Sequence, residues 1–217
     1  MFSILLKIVF LFLILIIANI AYKGKTFDKT SWVRVFFLSL IFVASSFFLL
    51  IGKGQKILIT VNYFTIGIFF ATTLLWFIFP KIIRFFGKYP SWYLKNKKNN
   101  VRFMVKFESP SMTIKYFEVV FQQSTFLYLL FVALIDLPKN TNIFLFTVVI
   151  TAIHLGNLLF MDKKWALFYT VLSIPMAIIF GNMILQGFVL LTTSIHLLFY
   201  LIFNATYWFP VNIKEFK

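Results

Sequence analysis

One carboxylate and two imidazoles stand in stretches otherwise made mostly of Phe, Leu, Ile and Val: Glu118, His154 and His196. His154 and His196 are the only histidines in the chain. These three groups support general-base hydrolysis. The carboxylate takes a proton from water, while the imidazoles and a nearby amide hold the water or stabilise an oxyanion. The same trio is also a ligand set for zinc, with a fourth position left for water. The helical His-Glu-x-x-His motif is absent, so a zinc site would have to be assembled from separate helices. Gln122, Gln123, Asn157, Tyr200 and Asn204 lie nearby in sequence and can orient a substrate by hydrogen bonds. With no Cys, thiolate chemistry, disulfides and Cys-ligated metals are excluded.

The elements that must position these groups are membrane helices. The chain has 217 residues, of which 61% are hydrophobic, 21% aromatic and 12% charged. That charged fraction is about half of what a soluble domain carries. Seven apolar segments are read, at 2–22, 32–51, 57–79, 112–135, 141–161, 165–182 and 188–209. Most have the roughly 20 residues that a helix needs to cross a bilayer. A lone span must satisfy its own backbone polar groups, so the expected fold is all-α, a polytopic bundle of about seven transmembrane helices. The first segment carries Lys7 and a long apolar run to Ala21, and Asn19-Ile20-Ala21 is a poor cleavage site. It is read as a retained span rather than a signal peptide.

Basic residues fix the expected orientation. The loops after spans one, three and five, with the C-terminus, hold 17 of the 21 Lys and Arg, Lys115 among them. Lys7, Lys53, Lys56 and Lys139 fall on the other side. The bias places the N-terminus outside and the C-terminus in the cytoplasm. It also accounts for the net charge of +15 without a nucleic-acid partner. Four regions follow: three N-terminal spans in 1–79, a basic loop in 80–111, a four-helix core in 112–209 and a cytoplasmic tail in 210–217. The start of the loop mixes rings and cations, from Pro80 to Leu94, and suits the lipid headgroup region. Membrane lipids are therefore expected partners.

An ionisable group inside a bilayer is costly, which makes each one a candidate for function. At 1.5 Å per residue, Glu118 lies about 9 Å from the cytoplasmic end of its span, His154 about 10 Å and His196 about 18 Å. Glu118 and Gln122 share a helix face, as do His196 and Tyr200. A single intramembrane His or Gln commonly joins helices by a hydrogen bond. An acid and two imidazoles on three helices in one band point instead to a common polar site.

From about Met104 to Asn204 the chain resembles the CPBP family, the CAAX-protease and bacteriocin-processing intramembrane proteases. Phe117-Glu118-Val119-Val120-Phe121-Gln122 is similar to the family's Glu-Glu-x-x-Phe-Arg motif, with Glu118 on the second Glu. Ile150 to His154 resembles Phe-x-x-x-His, and His196 to Tyr200 resembles His-x-x-x-Asn. Phe117 stands for the family's first Glu, Gln122 for its Arg and Tyr200 for its Asn. A second alignment sets Gln122 and Gln123 on the Glu pair, which leaves no acid. The resemblance implies a bacterial plasma-membrane endopeptidase that cleaves a membrane-associated peptide or protein near the cytoplasmic face. Glu118, His154 and His196 would be its catalytic residues. The departures imply the alternative, an inactive relative that serves as a membrane scaffold or binding subunit.

Overall fold

Ser31 opens the first well-defined helix: its side chain accepts a hydrogen bond from the Arg34 N–H at 3.3 Å, as an N-cap does. The computed structural model describes residues 31–53, 57, 59–86, 109–159 and 163–215, together with Lys7, Phe10 and Leu13. For 80, 83–86, 111, 165 and 203–215 it describes the backbone alone. These residues form α1 (Trp32–Leu50), α2 (Tyr63–Phe86), α3 (Ser109–Tyr128), α4 (Lys139–Leu155), α5 (Lys163–Leu185) and α6 (Val189–Glu215). A π-helical turn, Leu129–Ala133, continues α3, and a 3₁₀ turn, Gly156–Leu159, continues α4. Among the described residues there is no strand.

Four helices are long and apolar enough to cross a membrane: Trp32–Leu50, Met112–Ala133, Lys139–Leu159 and Ala166–Leu185. Tyr63–Phe79 and Val189–Ile202 are shorter apolar helices. Large side chains on their outer faces are exposed, including Phe36, Phe47, Phe64, Phe70, Phe144 and Val171. Apolar surface on that scale needs a lipid environment or a partner. Most of the span expected at 2–22 and most of the loop at 80–111 lie outside the described residues.

Three boundaries differ clearly from the sequence reading, and one of them is the end of α6, which runs to Glu215 and so makes the first residues assigned to the tail at 210–217 helical. The third apolar segment becomes helical at Tyr63, not at 57. Asn62 explains this: its Oδ1 accepts from Thr65 N–H at 2.8 Å, while Asn62 N–H donates back to Thr65 Oγ1 at 3.2 Å. This reciprocal cap fixes the helix start. At its other end α2 runs on to Phe86 through Pro80, so the first residues assigned to the loop are helical.

The helix ends meet in two sets. Lys7 Nζ donates to the carbonyls of Phe48 and Leu49 at 3.0 and 3.1 Å, a favourable place for a cation because helix carbonyls there lack N–H partners. Beyond α1, Thr60 N–H donates to Gly187 O at 2.8 Å, at the α5–α6 turn. Gly187 has φ +88°, a conformation that favours glycine. Elsewhere, Trp76 Nε1 donates to Met112 O at 2.9 Å and joins α2 to the start of α3.

Packing is built from rings. Val35, Leu38, Phe42 and Leu49 of α1 bury against Ile114, Phe121 and Tyr128 of α3. Trp76 of α2 packs with Met112 and Val119 of α3 and with Leu197 and Leu201 of α6. A third cluster joins Phe126, Leu130 and Phe131 to Phe146 of α4 and to Phe180 and Ile184 of α5. The N-terminal helices thus pack directly on α3 and α6. The π turn at Leu129–Ala133 is held from the neighbouring helix: Asn142 Nδ2 donates to Leu130 O at 3.1 Å and to Leu134 O at 3.0 Å. Asn142 Oδ1 is buried without a hydrogen-bond partner. Asn142→Leu loses two donated bonds but also removes that orphan oxygen. We expect a net destabilisation of about 1 kcal/mol in detergent unfolding; no change would show that the π turn does not depend on Asn142.

Candidate functional site

α3 supplies the acid. Glu118 Oε1 accepts from Lys115 Nζ at 2.7 Å and from Gln122 Nε2 at 3.0 Å. Lys115, Glu118 and Gln122 lie on one face because three- and four-residue spacings repeat the helical turn. Lys115 is 6% exposed. The sequence reading counted it with the loop charges; the structure corrects this and places it in the bundle as the partner of Glu118. Its ammonium lies 4.3 Å from the centre of the Tyr200 ring on α6, a cation–π contact.

α6 supplies His196 one turn before Tyr200, and the two rings stack at 5.3 Å with 19° between their planes. Phe126 lies near-parallel on the imidazole at 6.1 Å, and Phe180 packs on it at 5.6 Å. Gln123 Nε2 of α3 donates to His196 Nδ1 at 3.0 Å. The Oε1 of that carboxamide accepts from Thr192 Oγ1 at 3.3 Å. Thr192 Oγ1 also donates to Val189 O at 2.9 Å. A continuous polar ribbon therefore runs from Thr192 through Gln123, His196, Tyr200 and Lys115 to Glu118 and Gln122. From Lys115 to Gln123 it spans about 12 Å of helix.

His154 lies in the last turn of α4. Its Nδ1 is hydrogen-bonded to Ile150 O of its own helix at 2.9 Å. His154 and His196 are both partly accessible, as are Glu118 and Gln122. Asn157 lies half-buried on the 3₁₀ turn, and among the described residues no hydrogen bond joins it to the ribbon. Asn204 lies on α6, but its side chain is outside the described residues. Among the described residues no three His, Asp or Glu stand close enough to hold a metal. The zinc set of Glu118, His154 and His196 is thus not assembled, and no step is drawn through a metal.

Lys115 and Thr192 are the two members the sequence reading missed. A Lys three residues before a Glu in an apolar helix was a readable signal for the first. Thr192 carried none, since a Thr in a membrane helix usually bonds its own backbone. The fold and site define a helical protein with apolar helices of membrane-spanning length around a buried polar ribbon. Comparison with known proteins adds nothing to this class: no family model, no curated protein and no solved structure matches the chain.

Proposed function

We propose that the chain is a multi-pass protein of a bacterial plasma membrane and that its polar ribbon hydrolyses peptide bonds, as its resemblance to the CPBP proteases implies. Seven spans with an outer N-terminus and a cytoplasmic C-terminus fit the helix ends that meet: Lys7 with Leu49, and Thr60 with Gly187. The observation that carries the hydrolytic reading is the continuity of acid, imidazole and ammonium along α3 and α6. Glu118, His154 and His196 keep the roles that the resemblance gives them: Glu118 takes the proton from water, and His154 and His196 assist. Lys115, whose ammonium lies over the Tyr200 ring beside His196, offsets the negative charge that develops on a tetrahedral intermediate. Membrane lipids surround the bundle, and the substrate class is a membrane-associated peptide or protein.

A second reading, a binding scaffold without catalysis, is favoured by the engagement of Glu118 Oε1 with Lys115 and Gln122. The test is peptide release by the full chain in lipid vesicles, assayed with prenylated and unmodified peptides. Hydrolysis is expected in the wild type, with a loss of about a hundredfold or more in Glu118→Gln and in His196→Ala. Equal release by all three proteins sinks the hydrolytic reading, and silence in all three leaves the scaffold.

A further inference from the structure

A ring nitrogen that accepts a hydrogen bond carries no proton, so the partners of a neutral imidazole fix its tautomer. His196 Nδ1 accepts from Gln123 Nε2 at 3.0 Å. The direction of that bond is set one group further back, at Thr192. Its Oγ1 lies 2.9 Å from Val189 O and 3.3 Å from Gln123 Oε1.

Val189 O has other donors. Thr193 Oγ1 donates to it at 2.8 Å. As the carbonyl that opens α6, it also meets the N–H four residues on in the helical pattern. These fill its two lone pairs, so it does not depend on the Thr192 proton. Gln123 Oε1 does: among the described residues Thr192 is its only donor. Gln123 is 3% exposed and Thr192 is fully buried, where an unmade hydrogen bond carries its full penalty. With its oxygen held toward Thr192, the amide turns its N–H groups to the ring. An N–H only donates, so Nδ1 holds the lone pair and Nε2 the proton.

We infer that Gln123 and Thr192 are positioning residues that hold neutral His196 as the Nε2–H tautomer, a hydrogen-bond donor aimed away from α3. The flanking rings of Phe126 and Tyr200 fix the plane in which that N–H lies. His154 is set the other way: its Nδ1 meets the Ile150 carbonyl at 2.9 Å, which only accepts, so its Nε2 holds the lone pair. The use of His196 in hydrolysis rests on the function proposed above. Glu118 takes the proton from water. The water oxygen bonds to the substrate carbonyl carbon, and the π electrons of that carbonyl move to its oxygen, which accepts from His196 Nε2–H. When the C–N bond breaks, the proton held by Glu118 passes to the leaving nitrogen. His196 thus assists as a donor and is not the base.

The experiment is long-range proton–nitrogen NMR on the full chain in lipid nanodiscs with ¹⁵N-labelled histidine. With only two histidines in the sequence, His154→Gln assigns the two rings. At a pH where both are neutral, the wild type should show one ring of each form, His196 as Nε2–H and His154 as Nδ1–H. Thr192→Val removes the donor to Gln123 Oε1. It should let the amide turn and bring in the Nδ1–H form of His196 as a second population, with about a tenfold loss of hydrolysis, the equivalent of one hydrogen bond. Gln123→Glu sets a carboxylate, which only accepts, against Nδ1 and should draw the proton there. Thr192→Ser should retain the wild-type form. A wild-type His196 with its proton on Nδ1 overturns the inference, and so does an unchanged His196 tautomer in Thr192→Val or in Gln123→Glu. Because the tautomer is read without substrate, a failed hydrolysis assay with an Nε2–H His196 counts against the proposed reaction and leaves the positioning intact.

Discussion

Lys115→Met is expected to destabilise the protein by about 3 kcal/mol, measured by unfolding in mixed micelles. The ammonium sits 2.7 Å from Glu118 Oε1, with the two side chains 7% and 15% exposed. Removing one member of such a pair leaves a charge without its partner, which costs about 3–5 kcal/mol in buried pairs. The residual exposure of Glu118 and the Gln122 amide bond at 3.0 Å set the effect at the low end. The contact with the Tyr200 ring is lost too, worth about 1 kcal/mol. Removing both charges behaves differently. Lys115→Met with Glu118→Gln leaves no isolated ion and retains a polar partner for Gln122. It should recover more than half of the loss, because a neutral replacement of a buried pair is close to neutral in energy. If Lys115→Met alone unfolds like the wild type, neither the ion pair within α3 nor the contact with Tyr200 of α6 holds the bundle, and the ribbon loses its central member.

The same lysine marks where the sequence stopped being informative. Apolar length fixed the helices themselves, because a span of about 20 residues has few other options in lipid. Five of the six described helices start within about three residues of the apolar segment read for them. The sixth, α2, starts late because Asn62 and Thr65 form a cap, a pattern that was present in the sequence but outweighed by the apolar residues before it. The facial pairs Glu118 with Gln122 and His196 with Tyr200 followed from helical periodicity alone. Counting charge by side assigned Lys115 to the loop, since that rule does not separate a flanking cation from one drawn inward by an acid. The bond between Gln123 and His196 was beyond reach for another reason. It joins residues 73 positions apart, and only the rotation of α3 against α6, set by packing of rings, brings them together. The π turn is similar: it answers to Asn142 on another helix.

Phe146→Ala is expected to destabilise the protein by about 2–3 kcal/mol and to weaken hydrolysis, although Phe146 belongs to the apolar cluster and not to the ribbon. Phe146 is fully buried and meets Phe126 edge-on at 5.3 Å and 86°. On its other side lies Gly181, where an added Cβ would come within 3.2 Å of the ring. The glycine thus lets α5 approach the ring, as small residues do between membrane helices. Lipid tails are as apolar as a protein interior, so truncating the ring forfeits little transfer energy. The penalty is the cavity and its lost contacts, which supports a figure below the 3–5 kcal/mol seen in soluble cores. Phe126 then loses its backing, and Phe126 is one of the rings that hold the His196 plane. Peptide release should fall although the bond from Gln123 to His196 is untouched. Gly181→Ala tests the same contact from the other side. It should cost under about 1 kcal/mol alone and less in a Phe146→Leu background, where the clash is relieved. Strict additivity of those two substitutions would mean that α4 and α5 are not in contact at this point, and the route from Phe146 to the imidazole would fail with it.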